Sequence, residues 1–346
     1  METQTKLREP GVAPFDRSRL RVLPLAAREH KLGLDGRRKL DAVEMRTPAL
    51  RDVAAAMLDA RAREASVILM LGGHVIRAGV QAYLIDLMER GFVSCIALNG
   101  AGLIHDYEFA LAGASTEDVQ TYLRSGQFGL WRETGEINEI AKLAASRNAG
   151  LGETAGQLIA EGDFPRREAS LLAAAYRLGI PVTVHVGIGY DIVYEHPNCD
   201  GAAWGAASYH DFLRFASVVE NLEGGVVGTF GCAVMAPEVF LKALAMARNV
   251  AHQAGGRIAD FDSLVCDLMP VPQPHSVEPS PDEPAYYFRP LKTLLIRSVA
   301  DGGRGHYVRG SHANTIPELW TQLQYAEEAR ARATDPEFAA QETSTQ

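Results

Sequence analysis

Short apolar runs alternate along the chain with segments whose apolar residues recur at helical spacing. Each run ends at a glycine or another turn-forming residue, as strands of a fully covered parallel sheet do. The pattern predicts six strands, over Val67–Leu71, Phe92–Leu98, Val182–Val186, Gly225–Phe230, Ser263–Leu268 and Thr293–Ser298. It also predicts helices over Val75–Arg90, Leu103–Leu111, Arg167–Leu178, Tyr209–Leu222, Pro237–Asn249 and Glu318–Ala331. Because such alternation requires βαβ crossovers, the sequence indicates an α/β fold with a doubly wound, mostly parallel sheet.

Three regions fall outside this alternation. Residues 1–40 are rich in Arg and Pro and predict an N-terminal arm, whereas the polar residues 335–346 predict a flexible tail. The intervening residues 41–334 are long enough for a single large domain. Seven prolines between Met269 and Pro290 exclude a regular helix there, so we expect an extended excursion over the surface or toward a neighbouring subunit.

Composition and charge exclude several classes of protein. The 346 residues carry 34 basic and 43 acidic side chains, without a run of Lys or Arg, so we expect no nucleic-acid partner. No stretch reaches the roughly 18 uninterrupted apolar residues of a membrane helix, and the start of the chain lacks the apolar segment of a secretory signal. The four cysteines include no C-x-x-C pair, which is typical of reduced thiols in a cytoplasmic protein.

The turns after the predicted strands are unusually rich in glycine, histidine and aspartate. In an open parallel sheet, ligands bind beyond the carboxyl ends of the strands, where helix N-termini present free amides. Several tight turns at one edge would let backbone amides approach a diphosphate, although glycines could also simply end the strands. The turns contain Gly72–His74, Asn99–Gly102, Gly187–Asp191, Gly231–Ala233 and, after the sixth predicted strand, Asp301–His306 and Arg309–His312.

One of these turns resembles the start of a dinucleotide-binding fingerprint. Gly187 and Gly189 follow a predicted strand with the spacing of the first two glycines of that motif. Ile192 stands where the third glycine would be, so this motif alone is a weak signal.

Histidines near the same turn indicate an alternative, a metal-assisted hydrolase. The candidate ligands are His185, Asp191, His196 and His210, but their spacing is not that of the paired histidines of zinc peptidases, and we expect no metal. The sequence contains neither G-x-S-x-G nor G-x-x-x-x-G-K-[ST], which excludes a serine hydrolase elbow and a P-loop nucleotide hydrolase. A third hypothesis is a non-catalytic ligand-binding or assembly protein on the same fold.

The order of these segments resembles deoxyhypusine synthase over Val67–Gln322. The family segment T-A-G-G-V-E-E-D is similar to Asn99–Asp106, and its segment around R-x-G-N is similar to Arg132–Asn138. Its strand P-V-F-x-P-A, followed by G-S-x-G-D, resembles Pro181–Asp191, and its G-G-G-V resembles Gly231–Val234.

The resemblance implies a Rossmann-like, NAD-binding fold in a homotetramer whose active sites lie at subunit interfaces. Members of the family oxidise spermidine by hydride transfer to NAD and carry a butylimine on a lysine to an acceptor amine. The resemblance and the turn positions together assign cofactor binding to Gly72, Gly73, His74, Asn99, Gly100, Ala101, Gly102, Asp106, Gly187, Gly231, Cys232 and Ala233. His105 or Asp191 would be the general base for the amine proton, with Glu195, His312 and Trp320 on the substrate side.

The chain departs from the family at the catalytic element Glu-x-x-x-Trp-x-Lys. Trp320 is present, but Gln322 stands at the position of the lysine and Ile316 at that of the glutamate. An amide nitrogen is not nucleophilic, so Gln322 cannot form the imine. His105 replaces an acidic residue of the family, and Pro237 lies near the position of a family histidine. We therefore expect a divergent bacterial-type paralogue, an NAD-dependent transferase or oxidoreductase that acts on a polyamine or amino-acid-like amine with altered chemistry.

Overall fold

A computed structural model describes residues 11–334; the predicted tail at 335–346 and the first ten residues lie outside the described residues. The helices are α1 Pro48–Ala62, α2 Gly73–Arg77, α3 Gln81–Glu89, α4 Gly100–Ala112, α5 Val119–Ser125, α6 Arg132–Gly135, α7 Ile137–Ser146, α8 Leu151–Glu161, α9 Leu171–Leu178, α10 Gly201–Val219, α11 Met235–Gln253 and α12 His312–Thr334. The strands are β1 Leu32–Gly33, β2 Val67–Leu71, β3 Cys95–Asn99, β4 Ala114–Ser115, β5 Val182–His185, β6 Val226–Phe230, β7 Asp262–Asp267 and β8 Arg304–Arg309.

Six strands form one parallel sheet in the order β5-β3-β2-β6-β7-β8. In the order of these six along the chain, this is the 3-2-1-4-5-6 arrangement of dinucleotide-binding α/β domains, so the fold is Rossmann-like. The register aligns Leu71 of β2 with Leu98 of β3 and with Phe230 of β6. The turns that follow these three strands therefore lie side by side at one edge of the sheet.

Both faces of the sheet are covered, as the continuous apolar strands predict. Val67, Leu69 and Leu71 of β2 pack into a core with α1, α3, α4, α8, α9 and α12. The alternate residues Ile68 and Met70 pack into a second core with α11, the end of α10 and the segment Leu291–Arg297. The predicted α/β class and doubly wound sheet are confirmed.

Five of the six predicted strands are present, and the sixth is wrong. The sequence predicts a strand over Thr293–Ser298, but Leu291–Arg297 is π-helical and packs on the sheet. A short apolar run fits a buried helix as well as a strand, and periodicity cannot separate the two. The sixth strand of the sheet is β8, which overlaps the predicted turns Asp301–His306 and Arg309–His312. Its exposed position at the edge of the sheet explains its polar sequence.

The predicted helix Val75–Arg90 is interrupted. It forms α2 and α3, separated at Gly79, whose φ of +72° favours glycine. A Cβ atom there would also stand 2.9 Å from the carbonyl oxygen of Gly36. The N-terminal segment thus approaches the helix at the point where the helix breaks.

Parts of the segment 11–40 pack against the α/β body. Leu25 is buried, and Leu32–Gly33 pairs with Ala114–Ser115 as a two-stranded antiparallel sheet. The proline-rich segment 269–290 is irregular except for a short turn at Pro284–Tyr287, consistent with the exclusion of a regular helix. The domain boundaries at residues 40 and 334 stay a prediction.

All four cysteines are free thiols, and Cys95, Cys232 and Cys266 are buried. Between residues 11 and 334, every helix is too short or too polar to cross a lipid bilayer.

Candidate active site

The strand order reverses at β2 and β6, because the chain builds one half of the sheet outward from β2 and then the other half from β6. Ligands of such folds bind beyond the carboxyl ends of the strands at this point. Gly72 follows β2, and its amide donates a hydrogen bond of 2.9 Å to the carbonyl of Phe230. A Cβ atom at Gly72 would stand 1.9 Å from the carbonyl oxygen of Gly231, so the two turns touch through their backbones.

A cleft of about 390 Å³ opens beside this contact. Its walls are the turns after β3, β5 and β6 and the start of α11. The lining residues are Asn99, Gly100, His185, Val186, Gly187, Tyr190, Asp191, Gly231, Cys232, Ala233, Val234, Met235, Glu238 and Val239. Three of the predicted glycine-rich turns are therefore brought together.

Two helix N-termini face the cleft. The 19-residue helix α11 begins directly after the turn Gly231–Val234, and the 13-residue helix α4 begins at Gly100. In α4 the Oδ1 atom of Asn99 accepts a hydrogen bond of 2.9 Å from the amide of Gly102. The remaining first-turn amides have no partner within their own helix, and such a terminus attracts an anion by about 0.3–1 kcal/mol.

Asp191 forms part of the wall between this cleft and a second cavity. Its Oδ2 atom lies against Gly100, where a Cβ atom would stand only 2.1 Å away. Burial raises the pKa of Asp191 to about 6. Tyr190 and Asp191 line both spaces, so the cleft and the second cavity share one wall.

The second cavity, of about 240 Å³, lies beside the first turn of α4 and contains His105. The hydroxyl of Ser115 is 2.7 Å from Nδ1 of His105 and donates to Oε2 of Glu108, also at 2.7 Å. Glu108 is buried and bonded by both Nη atoms of Arg28, at 2.8 and 2.7 Å. Burial alone would raise the pKa of Glu108, but Arg28, Ser115 and Thr134 hold it below its usual value.

This chain of hydrogen bonds fixes the tautomer of His105. A carboxylate only accepts, so the single proton of the Ser115 hydroxyl is committed to Glu108. Nδ1 of His105 must therefore carry the proton that Ser115 accepts, which leaves a lone pair on Nε2. Burial lowers the pKa of His105 to about 4, so the ring is neutral near pH 7. Within the described residues Nε2 has no hydrogen-bond partner, and it can receive one from a ligand.

Two carboxyl groups, those of Glu117 and Glu195, lie close to Gly129. Glu117 accepts hydrogen bonds from the Gly129 amide at 3.0 Å and from Nε1 of Trp131 at 2.8 Å. Oε1 of Glu195 lies against the α-carbon of Gly129. Burial and the nearby Glu117 raise the pKa of Glu195 to about 7. Of the two, Glu117 lines the second cavity.

Several predicted site residues lie elsewhere. Asp106 is buried and accepts hydrogen bonds from Ser170 and from the amides of Leu171 and Leu172, so it caps α9. Trp320 donates from Nε1 to Asp86 at 2.6 Å, between α12 and α3. Neither of the two spaces is lined by Asp106 or Trp320.

The remaining predicted residues surround the switch point without lining the cleft. Gly73 makes room for α4, because a Cβ there would stand 2.9 Å from that of Ala101. His312 stacks edge-on against Phe230, with its Nε2 atom against Gly231. His74 is exposed, and Gly102 is bound to the Asn99 cap. Ala101 lines the second cavity.

The candidate metal ligands do not form a metal-binding group. His185 lines the cleft and bonds to Thr183 at 2.9 Å, whereas Nε2 of His196 is 2.8 Å from the carbonyl of Gly129. Across residues 11–334, no three His, Cys, Asp or Glu side chains are placed to hold one ion.

Several residues of the second cavity and its hydrogen-bond network escaped sequence reasoning, among them Arg28, Arg77, Glu108 and Ser115. Glu108 and Arg77 carried a usable signal, because each stands three residues after a candidate histidine on a predicted helix. Arg28 and Ser115 carried none, since one belongs to the N-terminal arm and the other to a two-residue strand.

No protein-family model matches the chain, and no curated protein matches its sequence. Among solved structures, a provisionally assigned LOR/SDH protein from Methanococcus maripaludis S2 is 15% identical, with a TM-score of 0.46 over 84% of this chain and 74% of that one. AgrE, solved as a ternary complex with ornithine and NAD+, is 14% identical, with a TM-score of 0.47 over 83% of this chain and 35% of AgrE. The chain thus spans about a third of the length of AgrE.

The family that the sequence motifs resemble is also among these structures. A provisionally assigned deoxyhypusine synthase from Entamoeba histolytica is 7% identical, with a TM-score of 0.39 over 80% of this chain and 88% of that one. At these identities the likenesses concern the path of the chain and not the side chains of the site.

Proposed function

We propose that the protein is an NAD-dependent enzyme that oxidises a small amine-bearing substrate, either a polyamine or an amino-acid-like amine. The observation that supports this most is that Tyr190 and Asp191 line both the cleft and the second cavity. The cleft lies at the topological switch point of the sheet, where such folds bind ligands. The second cavity contains His105, a neutral histidine whose Nε2 atom has an available lone pair.

The cleft fits a dinucleotide in position and in chemistry. The turn Gly231–Val234 and the start of α11 offer amides to a diphosphate, and Gly100 offers those of α4. The helix after β2 has only five residues, which leaves α4 and α11 as the better anion sites. NAD, when bound, supplies the hydride acceptor, and we assign its binding to Asn99, Gly100, Gly187, Gly231, Cys232 and Ala233.

The second cavity would hold the amine. An ammonium must lose a proton before its carbon can release hydride, because the nitrogen lone pair stabilises the developing positive charge. Asp191 accepts this proton, since a carboxyl group with a pKa of about 6 is ionised near neutral pH yet still basic. The lone pair on Nε2 of His105 accepts a second N–H of the amine and orients it. The oxidised product is an imine, which water hydrolyses to a carbonyl compound and ammonia.

Transfer through a lysine-bound imine is not part of this proposal. Gln322, at the position of the family lysine, is buried in α12. Lys292 is buried in the π-helical segment, with its Nζ atom 3.4 Å from the centre of the Tyr286 ring, and it lines neither space. A tetrameric assembly and a cytoplasmic location remain predictions.

The test is amine-dependent formation of NADH by the full-length protein, followed by its absorbance across a panel of polyamines and amino acids. His105→Phe removes Nε2 and should lower turnover by about 10²–10⁴-fold. His252→Phe, at an exposed position near the end of α11, is the matched control and should leave turnover unchanged. Equal turnover in both variants, or no NADH with any amine, would overturn the proposal.

A further inference from the structure

Arg77, the last residue of α2, lines the second cavity without a carboxylate partner among residues 11–334. Its Nη1 atom donates one long hydrogen bond of 3.4 Å to Nε2 of His74. Its Nε atom is buried and has no hydrogen-bond partner among the same residues. A partly buried guanidinium without an anion is unfavourable, so its place in the wall indicates a site for a ligand's negative group.

Among residues 11–334, none of the cavity's carboxyl groups lies within ion-pair distance of the Arg77 guanidinium. Arg28 and Glu108 form a bidentate ion pair and neutralise each other. Glu117 is held by the amide of Gly129 and the indole of Trp131. The carboxyl group of Asp191 has no hydrogen-bond donor within the described part of the chain. A ligand in the cavity therefore meets, among residues 11–334, a guanidinium without an ion-pair partner at Arg77 and a carboxyl group without a hydrogen-bond donor at Asp191.

The size and the remaining lining of the cavity suit a short chain between two charged ends. Its volume of about 240 Å³ is several times the volume of one water molecule, roughly 30 Å³, so the cavity has room for a small organic molecule. Ile104, Val119 and Phe128 contribute apolar surface to the wall.

We propose that the second cavity binds an amino acid, whose carboxylate pairs with Arg77 and whose amino group faces Asp191 and His105. This rests on the proposed function and narrows it, because it selects amino acids over polyamines. A polyamine carries only positive groups, and one of them would lie next to Arg77 without an anion to pair with. Planar bidentate pairing is the geometry in which a guanidinium binds a carboxylate most strongly.

The test uses pairs of ligands that differ only in the carboxylate. Binding of L-ornithine and putrescine, and of L-lysine and cadaverine, is measured by calorimetry on the full chain, with and without NADH so that no turnover occurs. The amino acid of at least one pair should bind more than tenfold more tightly than its diamine. Tighter binding of both diamines, or binding of none of the four compounds, would overturn the proposal.

Variants of Arg77 identify the group responsible. Arg77→Met should weaken binding of the amino acid more than tenfold and leave or improve that of the diamine, whereas Arg77→Lys should restore part of the affinity. Arg51→Met, at a side chain that is 69% exposed, is the matched control and should change neither. Equal loss for both ligands of a pair would show that Arg77 does not recognise a carboxylate.

NADH affinity separates this inference from the proposed function. Carboxylate selectivity in a protein that binds no NADH would overturn the function and leave the carboxylate site standing. NADH binding without carboxylate selectivity would overturn the carboxylate site and leave the proposed function standing.

Discussion

The carboxyl group of Asp191 lies directly against Gly100, the first residue of α4. A Cβ atom at position 100 would stand 2.1 Å from its Oδ2 atom, so glycine is required for this contact. The contact places an acid of raised pKa at a helix N-terminus, between the cleft and the second cavity. The proposed binding of cofactor and substrate depends on this arrangement.

Gly100→Ala should displace Asp191 and lower turnover at least tenfold while the protein stays folded. Gly201→Ala is the matched control, because Gly201 also follows a capping residue at the start of a helix and has no atom near its Cβ position. Steady-state kinetics of NADH formation checks the pair. Equal kinetics in the two variants would show that the position of Asp191 is unimportant.

Turnover should rise with pH through about 6, because Asp191 must be ionised to accept the proton from the amine. His105, with a pKa of about 4, stays neutral over this range and adds no further pH dependence to turnover. Asp191→Asn should abolish the rise of turnover with pH, along with most of the activity. A pH profile of kcat that is flat between 5 and 8 in the wild-type protein would contradict the assignment.

Ionisation of Asp191 should also change the stability of the protein, in the direction opposite to its effect on turnover. The pKa of Asp191 is raised from its ordinary value of 3.8 to about 6 in the folded state, so its ionisation disfavours folding. The contribution of this group to stability therefore falls as the pH rises between these two values and levels off above about 6. Asp191→Asn cannot ionise and should therefore raise Tm at pH 7.5 relative to the wild-type protein, with a smaller gain at pH 4. Thermal unfolding at the two pH values measures this, and a lower Tm for the variant at pH 7.5 would be the contrary result.

Arg28→Met should lower the free energy of unfolding by about 3–5 kcal/mol, because it leaves the buried Glu108 without its cation. The control is Lys31→Met, which breaks the exposed ion pair with Asp118 and should cost less than about 1 kcal/mol. Urea unfolding of both variants at pH 7 compares them. Similar losses would mean that the Arg28–Glu108 pair contributes no more than a surface contact.

The parallel sheet could be predicted because its inner strands are apolar on both faces, as Val67–Leu71 is. The edge strand Arg304–Arg309 escaped because exposure allows polar residues there. The aliphatic run after Thr293 packs on the sheet as a π-helix, and its sequence contains nothing that distinguishes this from a strand.

The grouping of the residues proposed to bind the cofactor was easier to foresee than that of the residues proposed to bind the substrate. Asn99, Gly187 and Gly231 follow strands directly, so the topology alone brings them to one edge. The second cavity depends on Arg28 and Ser115, which reach His105 through tertiary contacts between distant segments. The contact of Trp320 with Asp86 could not be foreseen, because a resemblance to a family motif does not show which partner the side chain meets.

Trp320→Phe should lower Tm, because the loss of the hydrogen bond to Asp86 reduces the free energy of unfolding by about 1–3 kcal/mol. The affinity for NAD should stay unchanged, because Trp320 lines neither the cleft nor the second cavity. Calorimetric titration of the folded variant with NAD provides the comparison. A large loss of NAD affinity would show that Trp320 belongs to the active site.

The central claim is that the turns at the switch point bind the diphosphate of NAD, and calorimetry with two charge variants of α11 tests it most directly. Ala233→Asp places a negative charge in the cleft at the start of the helix, and Val250→Asp places the same charge at an exposed position near its end. We predict that the wild-type protein and Val250→Asp bind NAD alike and that Ala233→Asp binds at least tenfold more weakly. Equal affinity in all three, or no NAD binding by the wild-type protein, would contradict the claim.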